Sequence, residues 1–240
     1  MENVDPIDEM NPYAAPKVDL WREDRGRSKT RGIDLSVENP FLTIWTRPRA
    51  TIRGILNTNP TYLVLPLAMA GGVIQALGRA AQMNAGDQLP LARILIMAVL
   101  LGLIYGLIGI YIGGALISWA GRRLGGHGSS EELRAAIAWS QVPALATILI
   151  WFLQIDLIGR EMFTSKKPVL DRSPGLGLVL MITGVITIIL GIWAFFTMLK
   201  CIGEAHGFSA WRAWGLLILI GLPILLFLVL LDMASRFPPF

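Results

Sequence analysis

Five stretches of this chain carry no charged residue: 54–78, 94–121, 135–155, 173–199 and 213–231, each at least 19 residues long. About 20 mostly apolar residues suffice for a helix to cross the hydrocarbon core of a bilayer. Lipid offers no partner for a backbone N–H or C=O, so such a segment must satisfy its own, as a helix does. The runs lack the polar stripes that a soluble core helix shows at helical spacing. The chain is 54% hydrophobic and 16% charged, against about 25% charged in a soluble domain. The expected fold is an all-α integral membrane bundle of five transmembrane helices, near 62–80, 91–120, 132–155, 176–201 and 210–233.

Lysine and arginine set the expected orientation. With five spans, the amino-terminal segment and the loops at 122–134 and 200–212 share one side, which holds 14 basic residues; the other side holds seven. The excess predicts a cytoplasmic amino terminus and an outside carboxyl terminus. The net charge of +4 is then positive charge held against anionic lipid at the inner face, and no nucleic-acid partner is expected. Residues 1–40 contain no apolar leader core, so no cleaved signal is expected. The single cysteine, Cys201, forms no internal disulfide.

Four segments follow from composition. Residues 1–38 read as a disordered cytosolic tail with a basic patch, RGRSKTR, at Arg25 to Arg31. Residues 39–59 read as an interfacial amphipathic segment. Pro40 and Pro48 each open a helical turn, and Phe41, Ile44, Trp45, Ile52, Ile55 and Leu56 alternate with Arg47, Arg49 and Arg53. That pattern suits a helix in the headgroup layer or one that binds a partner. Residues 60–234 form the membrane domain, and 235–240 a short carboxyl-terminal tail.

One phrase occurs twice. GGHGSSEELRAAIAWSQVP begins at Gly125, and EAHGFSAWRAWGLLILIGLP begins at Glu204. Both pass through His-Gly, a serine, an Arg-Ala pair and an apolar run broken by proline. The two loops fall on one side, so spans two to five read as two hairpins pointing the same way, a parallel repeat. Gly128 and Gly207 are expected to end helices in the left-handed conformation. His127 and His206 would complement helix dipoles. Ser129 with Glu132 forms a capping box, and Ser209 caps the last helix. Arg134 and Arg212 would snorkel to headgroups. The loop face, with Arg122 and Arg123 beside these residues, is either a capped hairpin or a surface for lipid or protein.

Small residues mark the expected packing faces. Gly102, Gly106, Gly109 and Gly113 recur every three or four residues, and Gly177, Gly184 and Gly191 every seven. Such stripes let membrane helices approach closely, so they are expected to join spans two and four or to meet another subunit. Pro143 and Pro223 are expected to kink spans three and five. Gln141 would make a helix-to-helix hydrogen bond or line a substrate path.

NPFLTIWTRPRATIRGIL before the first span, GGHGSSEELRAAIAWSQVP in the middle and EAHGFSAWRA before the last together resemble the Yip domain family, the Ypt/Rab-interacting protein-like membrane proteins, in its bacterial branch. The likeness covers residues 39–230. It implies five membrane helices with a cytosolic amino terminus, and for this branch a multi-pass protein of the bacterial inner membrane. Eukaryotic members are linked to Rab-type GTPases and vesicle traffic. The Asp-Leu-Tyr-Gly-Pro block of those members is missing here.

Function classes narrow by what is missing. The sequence holds no HExxH, GxSxG or P-loop and no paired metal-spaced cysteines. His127, His206, Cys201 and Glu204 do not match a zinc spacing, so no catalytic residue, metal or cofactor is expected. No ionisable residue occupies a span centre, which disfavours coupled transport. Gln75, Tyr105, Tyr111, Ser140, Gln141 and Gln154 could still line a path for a neutral or lipid-like substrate. The favoured expectation is a non-catalytic membrane organiser that binds anionic lipid, a membrane-protein partner or another copy through its inner face. Its candidate contact residues are His127, Arg134, His206, Arg212, Arg122 and Arg123.

Overall fold

A computed structural model describes residues 39–236, with side chains through Met233. The expected tail at 1–38 and the end of the segment 235–240 lie outside the described residues. All regular structure among the described residues is helical. Asn39 Oδ1 caps α1 (Pro40–Thr46) by accepting from Phe41 N–H at 3.0 Å. Pro48 opens α2 (Pro48–Thr58). Then come α3 (Val64–Gln82), a 3-10 turn (Ala85–Asp87) and α4 (Leu91–Arg123). A broken run follows: α5 (Ser130–Ser140), α6 (Val142–Leu145), α7 (Thr147–Ile158) and a 3-10 turn (Gly159–Phe163). The short α8 (Pro168–Arg172) leads into α9 (Pro174–His206) and α10 (Ala210–Arg236).

Four helices, α3, α4, α9 and α10, are individually long and apolar enough to span a membrane. The α5–α7 run is bent by 40°, and counted as one broken span it brings the number of candidate crossings to five. At one end of the bundle, His127 N–H donates to His206 C=O at 3.3 Å, and Trp139 Nε1 on α5 donates to Tyr62 C=O at 3.0 Å. At the other end, Arg160 Nε donates to Gly86 C=O at 2.7 Å, and Ser165 N–H to Asp87 Oδ1 at 3.1 Å. These bonds put the two ends of the run at opposite ends of the bundle, the arrangement that five crossings require. Helices α4 and α9 arrive together at the His-Gly end, so the two hairpins point alike.

Pro143 sits in the break, where hydroxyls take up nearby carbonyls. Ser140 Oγ donates to Ile137 C=O at 2.7 Å, and Thr147 Oγ1 to Ala144 C=O at 2.6 Å. Short side-chain bonds of this kind are how a membrane helix tolerates a proline. Pro223, by contrast, lies inside α10, which continues unbroken through it.

The main core differs from a simple five-rod bundle. Ile44, Ile52 and Ile55 from α1 and α2 are buried with Ala135, Ala138 and Trp139 of α5 and Cys201 of α9. The apolar stripe of the 39–59 segment thus meets the bundle rather than lipid, leaving Phe41 and Leu42 exposed. Trp139 is fully buried, with its ring 5.0 Å from Phe41 and 5.8 Å from Tyr62. Helix α10 packs only near its start, through Ala213 and Leu216, and is exposed at every position from 221 to 233.

Candidate functional site

The His-Gly end is built around one imidazole. His206, the last residue of α9, is buried. Its Nδ1 accepts from Gly128 N–H at 3.2 Å, and its Nε2 lies 3.2 Å from Ile117 C=O. An amide can only donate and a carbonyl can only accept, so the ring is the neutral Nε2–H tautomer. Phe208 stacks on it at 5.2 Å. The ring fills the space that a Cβ at Gly121, Gly126 or Gly128 would need. The two copies of the phrase are therefore unlike partners: the first supplies a glycine cradle and the second the side chain that fills it.

This changes three sequence expectations. His206 holds the loops together by neutral hydrogen bonds, not by charge on a helix dipole, and its burial keeps it from touching a lipid or partner. His127 is exposed. Gly207 does end α9 at φ 75°, but Gly125 at φ 83°, not Gly128, takes the left-handed position after α4. Gly128 is needed for close approach instead.

Caps and ion pairs complete the frame. Ser129 and Glu132 form the expected capping box at 3.2 and 2.7 Å, and Ser209 Oγ accepts from Arg212 N–H at 3.3 Å. Helix α2 is tied on by Arg49, which donates to Phe208 C=O at 3.2 Å, and by Arg53, whose Nε meets Glu204 Oε1 at 2.6 Å. That bond and the carboxylate's charge push the Arg53 guanidinium above its ordinary value.

The cations divide into two groups. Arg122, Arg123 and Arg212 are exposed, as is Lys200. Arg123 stacks 5.0 Å from the Trp119 ring, an arrangement that suits the headgroup layer. Arg134 is half-buried: its stem lies across Gly114 and its guanidinium sits 4.8 Å over Tyr111. It is occupied in holding α5 to α4 and is less free to snorkel. Among the described residues, no group of three or more His, Cys, Asp or Glu side chains is arranged to hold a metal ion.

The glycine stripes part company. Gly102 and Gly106 pack on Gly72, Val73 and Ala68 of α3 with no room for a Cβ. Their partner is span one, not span four. Gly113 touches Ile137, and Gly109 faces open space. Gly177, Gly184 and Gly191 meet nothing within 4 Å. Three of the polar span residues are engaged in separate places. Gln154 donates to Thr183 at 2.8 Å, Ser140 bonds its own helix, and Gln141 lies against Gly71.

A model of the Yip1 domain matches residues 42–231. The chain belongs to the Yip1 domain family. No curated protein and no solved structure matches it. The Yip1 domain thus runs from α1 into α10 and takes in both His-Gly loops and the helices packed on them. It is a multi-pass membrane domain.

Several contacts of the domain escaped sequence reasoning. Gly121 and Gly126 in the cradle, the Arg53–Glu204 pair, which is 151 residues apart, and the Trp139–Tyr62 bond all join distant segments. Gly126, Trp139, Glu204 and Arg53 each lay within a quoted stretch, but nothing local showed which distant segment each would meet.

Proposed function

We propose that this Yip1 domain protein is a non-catalytic membrane organiser whose His-Gly face binds anionic lipid, in a trafficking-like or membrane-organising role. The face would lie on the cytoplasmic side of the inner membrane, with the carboxyl terminus outside. One observation carries the reading. The His206 interlock and the docked α2 make a rigid end that displays Arg122, Arg123, Lys200 and Arg212, while Glu132 and Glu204 are already engaged. Exposed cations on a fixed frame attract a phosphate-rich surface.

The test is flotation and lipid retention in vesicles of phosphatidylcholine with and without phosphatidylglycerol, beside in-cell photocrosslinking from position 127. Retention of phosphatidylglycerol that falls in Arg122→Gln/Arg123→Gln and in Arg212→Gln supports the reading. Equal retention of both lipids by all forms defeats it. Crosslinks to one protein that vanish in Arg212→Gln would replace lipid with a protein partner or a second copy.

A further inference from the structure

Helices α3 and α4 enclose an open groove of about 970 Å³ that runs to the far end of the bundle. Gly72, Ala76 and Ala98 line it, and their small size leaves the space open. Its mouth carries Arg79 and Gln88, and Gln75 and Tyr105 lie deeper along its walls. Among the described residues, the side chains of Gln75, Arg79 and Tyr105 have no hydrogen bond or ion pair. Polar groups facing lipid without partners are costly, so Gln75 and Arg79 along one apolar groove point to an occupant with matching polar atoms.

Spacing says which atoms. Gln75 and Arg79 are four residues apart, hence on one face of α3 and separated by about 6 Å along the axis. In a glycerophospholipid the ester carbonyls lie one such step beneath the phosphate. We propose that this groove holds one glycerophospholipid of the leaflet adjoining the 83–90 turn. Its phosphate sits on Arg79, an ester carbonyl accepts from Gln75, and one acyl chain lies over the small residues. Tyr105, deeper still, marks where the chain passes along α4. The site lies at the opposite end from the His-Gly face and does not depend on what that face binds.

The experiment places the full chain in phosphatidylcholine vesicles with a trace of phosphatidylglycerol bearing a photoactivatable acyl chain, and maps the labelled residues. Labels should concentrate on α3 and α4 along the groove. Arg79→Gln should lower labelling about fivefold, the weight of one cation at a lipid surface. Gly109→Leu places its side chain in open space at the groove's inner end, so it should fold normally yet displace the labels. Gly184→Leu, open to lipid on α9, should change nothing. Wild-type labelling in Arg79→Gln or in Gly109→Leu, or labels spread evenly over α10, would overturn the assignment.

Discussion

The Nδ1 atom of His206 and the amide of Gly128 meet at 3.2 Å across 78 residues of chain, and no charge is involved. The bond joins the loop of the first hairpin to that of the second, and the same ring reaches Ile117 on α4. Truncating it strands the buried Gly128 N–H, removes the ring's bond to the Ile117 carbonyl and empties the cradle. His206→Ala should therefore cost about 2–4 kcal/mol. His127→Ala, at an exposed position, should cost under about 1 kcal/mol. Unfolding in graded denaturing detergent, read by tryptophan fluorescence, separates the two. Equal effects would mean that the histidines are interchangeable after all.

Helices in lipid gain little from burying apolar surface and much from close contact. Gly106 lies against the Ala68 carbonyl with no space for a methyl group, whereas Gly184 meets only open surroundings. Gly106→Val should destabilise the α3–α4 pair by about 1–3 kcal/mol through overpacking, and Gly184→Val should leave folded yield unchanged. A native-gel comparison of the same variants also tests whether the α9 stripe joins a second copy, because only then would Gly184→Val shift the oligomer.

Much of the architecture was legible because bilayer thickness leaves a coarse mark on sequence. Uncharged runs located the four long apolar helices and the bent α5–α7 run, and Ser129 with Glu132 announced its own cap. Ile44 and Ile52 announced an amphipathic segment but not its destination, since lipid and a buried bundle face select the same side chains. The partner of the Gly102–Gly106 stripe was illegible for a related reason: small residues signal closeness without naming what comes close. His206 read as a twin of His127 because local sequence shows the loop but not the cradle that receives it.

Arg53 and Glu204 form an ion pair at 2.6 Å, but the arginine side chain is 63% exposed. Pairs in that setting are worth about 0–1 kcal/mol because solvent and salt screen them. A double-mutant cycle with Arg53→Gln and Glu204→Gln should yield a coupling of about 0.5 kcal/mol that fades as salt rises. Most of the docking of α2 then rests on Ile52 and Ile55, and Ile52→Ala should cost about 2–4 kcal/mol in the same assay. A coupling larger than the Ile52 effect would reverse that ranking.

At the far end, Asp87 accepts from Ser165 N–H at 3.1 Å. Hydrogen bonding from Ser165 holds its carboxyl below the ordinary value of 3.8. A carboxylate with a lowered folded value favours the joined loops whenever it is ionised in both states. That contribution is complete above pH 3.8 and disappears as pH falls through the lower folded value. Hydrogen exchange at Ser165, measured as an opening equilibrium corrected for its intrinsic rate at each pH, should show constant protection above that point and falling protection below it. Asp87→Asn should abolish the acid-dependent step while leaving the Arg160–Gly86 bond in place. An acid step that persists in Asp87→Asn would assign the titration to another carboxyl and remove Asp87 from the tie between the loops.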